Sequence, residues 1–451
     1  MKRESWKSRL GFTCAAVGSA VGLANIWKFP YIVGQNGGAA FIAVYLICLL
    51  LIGFPVLLAE VVMGRRTRRN PYGAMKLLGG SRMWSIAGAM ILFTVFLVTS
   101  FYSAVAGWIL GYLVEALSGR MSEFQSPENA VSYYKVLISS PAWTLGFHFA
   151  FILACVGVLL GGVRKGIEKG TSFMMPVLFV VLIALVIKGL SLPNASKGLH
   201  FLLSPDWSLL TPAAVITALG HSFFTLSVGQ GTMITYGSYL SERENIPLLC
   251  LPVALLDTLV SLLVAIVIFT TVFSAGIEPS AGPALIFHTL PYVFSNVSGG
   301  NLVAISFFFL VVLAALTSEI SAMEPIIAYL IDEKGVQRKH AVILTALGGF
   351  LLGIPSALST NLLRDFTFMG YDFLDMIGFV ATSVLIPLGG FVVVIMVGWH
   401  WGAHNAMAHL REGAKSLFEK FPFLRAYFCF CFKYSAPILI VFVFLHALGL
   451  L

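Results

Sequence analysis

Gly18-Ser19-Ala20-Val21-Gly22-Leu23-Ala24-Asn25 lies inside an apolar run that begins near Leu10 and is long enough to cross a bilayer. Two glycines, a serine and an asparagine at mid-span weaken an unbroken helix, since Gly costs about 1 kcal/mol relative to Ala in a helix interior. Unwound backbone at membrane depth persists only where it lines a protected cavity. There the freed carbonyls become ligands for a cation, and the N–H groups that open the following half-helix attract an anion. Phe224-Thr225-Leu226-Ser227-Val228-Gly229-Gln230-Gly231 repeats the device midway through the apolar segment 212–239. A pair of Gly-interrupted spans at corresponding positions of two halves points to a transporter binding site. Two Gly-rich packing faces in ordinary helices would have the same glycine content, which alone does not choose between the readings.

The elements that must position these residues are membrane helices. The chain has 451 residues, 58% hydrophobic and 11% charged, against about 25% charged residues in a soluble domain. Its apolar runs have the length of spanning helices, about 20 residues, and not of short alternating strands. The expected class is an all-α polytopic membrane protein. The net charge of +8 therefore speaks to topology and not to nucleic acid. The six cysteines contain no CxxC pair and sit mostly in apolar runs, so neither a disulfide framework nor a metal site is expected. The basic N-terminus with its apolar run differs from a signal peptide, because the run is too long and has no small-residue cleavage site before the next span. No nucleophile–base pair, metal motif or cofactor fingerprint supports an enzyme.

Eleven spans are expected, near 10–35, 38–64, 86–117, 143–161, 167–189, 212–239, 245–274, 299–331, 339–356, 371–399 and 434–451. Of the 28 Lys and Arg residues, all but Lys28, Arg120, Lys135, Lys188, Lys197 and Arg364 fall in segments that share one side if the N-terminus is cytoplasmic. That bias orients the chain N-terminus in and C-terminus out. Spans 1–5 and 6–10 each begin with a broken helix, and five is odd, so the second half inserts upside down relative to the first. Residues 1–190 and 191–402 are then the two inverted repeats, and 403–451 hold a cytoplasmic loop and an eleventh span. Loops 118–141, 190–211 and 275–298 are expected outside, and 400–433 is expected to be a solvated amphipathic surface segment.

Longer motifs carry a resemblance. Arg9-Leu10-Gly11, Gly18 through Tyr31, Asn36-Gly37-Gly38, Gly53-Phe54-Pro55, Glu60, Met63-Gly64-Arg65, Phe223 through Ser227, Thr235-Tyr236, Leu316-Thr317-Ser318 and Pro325 resemble, in order, the signature of the neurotransmitter:sodium symporter family. The resemblance covers essentially the full chain. It implies the LeuT fold, a 5+5 inverted repeat with helices 1 and 6 broken and eleven transmembrane helices, in a bacterial amino-acid carrier of the inner membrane.

The resemblance also implies roles for single residues. One sodium site, Na2, would take carbonyls of Gly18, Val21 and Ala314 and hydroxyls of Thr317 and Ser318; ordinary back-bonding of Thr317 and Ser318 to the preceding turn is the alternative. The other, Na1, would take the Ala20 carbonyl, Asn25, Thr225 and Asp257. Asp257 departs from the usual Asn, and an ionised carboxylate at mid-membrane needs a partner such as sodium; a protonated, hydrogen-bonded Asp257 is the alternative. Tyr45, Thr225 and Ser261 resemble part of a chloride site, but His221 replaces the usual Gln and Asp257 is already negative, so chloride is not expected. The substrate carboxylate would meet Gly22 N–H and Tyr102, and the backbone of Phe224 and Ser227 would take the amino group, beside Ala20 and Thr225. The side-chain pocket would be Ala24, Val98, Phe224, Gln230, Ser318 and Ala322. With no charged residue expected to face this pocket, the substrate is read as a neutral L-amino acid, either glutamine-like or hydrophobic.

Gates are implied as well. Lys28 with Asp375, or with Asp372, would close the outer side with Tyr102 and Phe224. Arg3 with Asp332, steadied by Tyr239, Ser238 and Trp6, would latch the inner side. Gly166 and Pro176 would unwind the fifth span to release sodium. Glu319 and Glu324 are further intramembrane acids without an assigned role, with a Glu319–His221 contact one option. The reading that results is a sodium-coupled symporter working by alternating access, with sodium, substrate and lipid as partners and a homodimer compatible with it. A proton-coupled carrier using Asp257, His221 or Glu319, and an amino-acid sensor that does not transport, are the rivals.

Overall fold

Helix boundaries follow the local chemistry. Ser8, Asn70, Ser126, Ser140, Thr211, Asn245 and Asp372 each cap a helix by accepting a hydrogen bond from a backbone N–H two or three residues into it, and proline stands at the first turn after five of them. The structure is a computed structural model that describes residues 4–124, 126–276, 285–368 and 370–450. Among these residues, nine helices are long and apolar enough to span a membrane. A tenth span is a pair, α1 (Arg9–Ala20) and α2 (Ala24–Gln35), bent by 53°. The nine are α3 (Ala39–Thr67), α4 (Arg82–Leu117), α5 (Pro141–Leu159), α6 (Val163–Leu190), α9 (Ile246–Ser274), α10 (Gly300–Lys334), α11 (Arg338–Leu358), α12 (Phe373–His400) and α13 (Phe423–Ala447). The remaining expected span, 212–239, is divided into α7 (Pro212–Phe224) and a short α8 (Thr232–Gly237).

Both expected breaks are present. Val21 leaves the α region (φ −71°, ψ 102°) and ends α1, and α2 resumes with a widened π-type turn at Ala24–Lys28. Between α7 and α8 three residues take positive φ: Ser227 (54°), Gly229 (86°) and Gly231 (79°). Glycine adopts this conformation freely, whereas Ser227 is held in it by its hydroxyl, which donates to the Ser19 carbonyl at 2.7 Å.

Around the breaks, α4 packs on α10, α5 and α11, while α1 lies against α9, α10 and α6. α7 sits against α3 and α13, and α8 against α3. The α3–α8 contact is backbone on backbone: a Cβ on Gly64 would overlap the Ile234 carbonyl, and one on Gly237 would overlap Val61. Small residues permit such approach in membrane helices, where van der Waals packing drives association.

One boundary differs from expectation. The last span starts at Phe423 and not near 434, because Phe428 and Phe432 are buried, Phe428 packs on Phe54, and Tyr427 donates to the Leu50 carbonyl. The segment before it is not merely solvated: Met407, Leu410 and Phe418 are buried against the bundle. Gly64→Ala is expected to destabilise the fold by about 1–3 kcal/mol through overpacking, read as a lower melting temperature of the purified protein; an unchanged melting temperature would contradict the close α3–α8 contact.

Candidate functional site

The α1/α2 break gives up backbone partners, and side chains replace them. Gly22 N–H donates to Asn25 Oδ1 at 2.9 Å, and Leu23 N–H donates to the Tyr102 hydroxyl at 3.3 Å. The α7/α8 break is held by Glu60 of α3, whose Oε1 accepts from Gly229 N–H at 2.6 Å. Ser19 ties the two breaks to α10. Its carbonyl accepts from Ser227 and, at 3.3 Å, from Ser318, and its hydroxyl accepts from Ser321 at 2.7 Å.

Beside the first break lies a buried oxygen cluster. Asn25 Nδ2 donates to Asp257 Oδ1 at 2.6 Å, Ser261 Oγ at 2.9 Å and Thr225 Oγ1 at 3.1 Å. Thr225 Oγ1 in turn donates to Asp257, at 2.9 and 3.1 Å to its two oxygens. Asp257 is fully buried, and no Lys or Arg pairs with it among the described residues. Of the expected Na1 residues, Asn25, Thr225 and Asp257 are joined directly, and Ala20 lines the adjoining cavity.

The expected Na2 residues lie where α1 crosses α10. A Cβ on Gly18 would stand 3.0 Å from Thr317 Cβ, so the two backbones approach closely. The Thr317 hydroxyl donates to the Leu313 and Ala314 carbonyls, both at 3.1 Å, which is the back-bonded arrangement. Val21, in extended conformation, turns its carbonyl out of the helical ladder.

A cavity of about 550 Å³ opens from the breaks toward Tyr371 and Asp375. Ten of the eleven expected substrate residues line it: Ala20, Gly22, Ala24, Val98, Tyr102, Phe224, Ser227, Gln230, Ser318 and Ala322. The eleventh, Thr225, lies behind it in the Asp257 cluster. The expectation that no charged residue faces this pocket is wrong, because Glu319 of α10 lines the same wall. One turn before Ala322, it points inward with Ser318, a placement that one-dimensional spacing did not reveal. Glu319 and His221 are both buried and no hydrogen bond joins them, so the Glu319–His221 contact is not formed; the polar neighbour of Glu319 is Thr99. His221 packs instead on the rings of Phe29 and Tyr45, 5.3 and 5.6 Å between centroids.

Lys28 and Asp375 line the wide end of the cavity without forming an ion pair, and Lys28 Nζ sits 5.3 Å from the Phe224 ring centroid. Asp372 caps the start of α12 by accepting from Asp375 N–H. At the opposite end the chain is closed. Trp6 Nε1 donates to the Tyr236 carbonyl at 2.9 Å, and its ring packs edge-on against Tyr236 and Tyr239. Arg3 lies outside the described residues, and Asp332 accepts from Asn70 through Oδ2.

A different ion pair lies at this end. Arg338 meets Glu324 with two parallel bonds of 2.9 and 2.8 Å, Tyr239 donates to Glu324 at 2.8 Å, and Glu4 stands 3.7 Å from Arg338. Glu168 accepts from Lys7 N–H, Ser8 N–H and the Ser8 hydroxyl, fixing the entry to α1. Ser19, Glu60, Glu168 and Arg338 carry no role in the sequence reading. Arg338 and Glu324 stand 14 positions apart on separate helices, and no local spacing connects them. Gly166 lies where α6 meets α5, with no room for a side chain against the Val158 carbonyl, and Pro176 sits inside a wound helix.

Comparison with known proteins adds to this geometry. A model of the sodium:neurotransmitter symporter family matches residues 3–132 and 138–450. The chain is 37% identical to the uncharacterized sodium-dependent transporter YhdH of Bacillus subtilis (strain 168), over 100% of this chain and 99% of the relative. It is 35% identical to an uncharacterized sodium-dependent transporter of Haemophilus influenzae, over 99% and 98%. The solved structure of MhsT in complex with L-phenylalanine superposes with a TM-score of 0.89 at 41% identity, covering 99% of this chain and 100% of that one. Glu60→Ala is expected to strand the Gly229 N–H at a cost of about 1–3 kcal/mol, seen as a lower melting temperature. Glu60→Gln keeps an acceptor and should retain most of the stability; equal loss in both variants would exclude this bond as the cause.

Proposed function

The chain belongs to the sodium:neurotransmitter symporter family, and from that premise we propose that it carries a neutral L-amino acid into the cell together with sodium, by alternating access. The observation that carries this reading is the buried joining of Asn25, Thr225 and Asp257 directly beside the opened backbone at Gly22–Leu23. A carboxylate at that depth needs a positive partner, and sodium supplies one without a proton. On binding, the substrate carboxylate would take over the Gly22 and Leu23 N–H groups from Asn25 and Tyr102 and accept from the Tyr102 hydroxyl, so that it and the ion would lie side by side. Each then raises the affinity of the other, as linkage requires.

Two ion sites follow: Na1 at Ala20, Asn25, Thr225 and Asp257, and Na2 at Gly18, Val21, Ala314, Thr317 and Ser318. The second set is wholly neutral, which suits a monovalent ion. The names of the similar transporters from Bacillus subtilis and Haemophilus influenzae support sodium dependence, and the phenylalanine complex of MhsT supports an amino acid as cargo. Asp257 supplies a fixed negative charge beside Thr225 and Ser261, which favours independence from chloride.

Residues 1–190 and 191–402 would be the two inverted halves, with 403–451 outside the repeat. The distribution of the basic residues supports a cytoplasmic N-terminus, and the similar transporters of Bacillus subtilis and Haemophilus influenzae support a bacterial membrane. The cavity is then outward-facing, Lys28 and Asp375 close it over the substrate with Tyr102 and Phe224, and release follows when the latch around Trp6 and Tyr239 opens. Gly166 and Pro176 would let α6 unwind to wet the second sodium site, since Pro176 already lacks an N–H for the helical ladder.

Labelled neutral amino acids should bind the purified protein in sodium and not in potassium. Asp257→Ala should raise the sodium concentration for half-maximal binding at least about 10-fold, as expected when a charged ligand is lost. Binding that is equal in sodium and potassium would overturn the coupling. Uptake into vesicles should continue when gluconate replaces chloride; loss of uptake would overturn chloride independence.

A further inference from the structure

Glu319 is 1% exposed, and both of its carboxyl oxygens have no hydrogen-bond partner among the described residues. Buried polar atoms in native structures are almost always paired, and each exception asks for a reason. Here the reason is close at hand, because Glu319 lines the central cavity. Gln230, 8% exposed, lines the same cavity, and its carbonyl oxygen is also without a partner. The two come from different elements, α10 and the α7/α8 break, yet both leave acceptors unused on one cavity. Of the hydroxyls nearby, Ser227 and Ser318 donate to the Ser19 carbonyl, and Thr99, the neighbour of Glu319, closes no well-aligned bond and could serve at most one of its two oxygens. The local donor, Leu23 N–H, is already directed to Tyr102. A donor that arrives with the ligand satisfies these acceptors, whereas a hydrocarbon group placed against them would displace water and leave them buried and unpaired.

Resting on the amino-acid reading above, we infer that Glu319 and Gln230 form an acceptor subsite that selects amino acids whose side chains end in an N–H or O–H donor over donorless side chains of similar size. Carboxamide, hydroxyl and indole side chains satisfy it; leucine, methionine and phenylalanine do not. Sites built to hydrogen-bond a substrate reject the analogue that lacks the group far more strongly than an apolar pocket rejects a polar isostere.

The test measures dissociation constants by calorimetry, in sodium, for leucine against asparagine, methionine against glutamine, and phenylalanine against tyrosine, with the full chain purified in detergent. In the wild type the donor-bearing member of at least one pair should bind about 10-fold more tightly or better. Glu319→Leu should bring that pair to within about 2-fold, and Glu319→Gln, which keeps an acceptor oxygen, should preserve the preference. If Glu319→Leu does not yield folded protein, Gln230→Met takes its place and should lower the preference at least about 3-fold. Equal or tighter binding of the donorless member in every pair overturns the subsite, as does a preference that survives Glu319→Leu, or Gln230→Met where that variant stands in. Sodium-dependent binding without side-chain preference leaves the amino-acid reading standing and removes only the subsite. No binding of any of the six in sodium overturns the amino-acid reading, and the subsite with it.

Discussion

A backbone that leaves the helix inside a membrane must find every lost partner within the protein, and the architecture is arranged to meet that demand. At the first break Asn25 and Tyr102 receive the N–H groups of Gly22 and Leu23. At the second, Glu60 receives Gly229, and Ser227 is pinned to Ser19. Four elements, α1, α3, α4 and α7, therefore have to converge at one depth. The glycine contacts that bring α3 against α8 follow from the same demand, since Glu60 reaches Gly229 only if the helices nearly touch.

The cavity mouth and the N-terminal latch region are built differently. At the mouth Lys28 and Asp375 face the same space without pairing. In the latch region, Trp6, Tyr236, Tyr239, Glu324 and Arg338 form a continuous set of ring contacts and hydrogen bonds. The second set ties the first residues of the chain to the C-terminal part of α10.

Much of the site was legible because the break residues are unusual for their place. Glycines beside a serine and an asparagine in a 20-residue apolar run have few uses, and the resemblance attached roles to them by position. Asp257 stood out in the same way, as a charge with no local companion. The partners that complete the site were less legible. Glu319 and Glu324 both read as isolated intramembrane acids, yet one is paired by Arg338 on the next helix and the other opens on the cavity. That difference depends on how α10 is rotated against its neighbours, which is a tertiary quantity. The start of α13 was missed for a related reason: residues 423–433 mix aromatic and basic side chains, and only packing on α3 shows that the aromatic face is buried.

The Arg338–Glu324 pair constrains how the two helices that carry it can part. The two side chains are 17% and 0% exposed, respectively, and separating such a pair in dry protein would leave two bare charges, at several kcal/mol each. Parting would become possible once water reaches both groups, so in such a carrier wetting would precede helix motion. In the carrier proposed above, passage to an inward-facing form would then be a hydration transition, with solvent entering between the helices before they move.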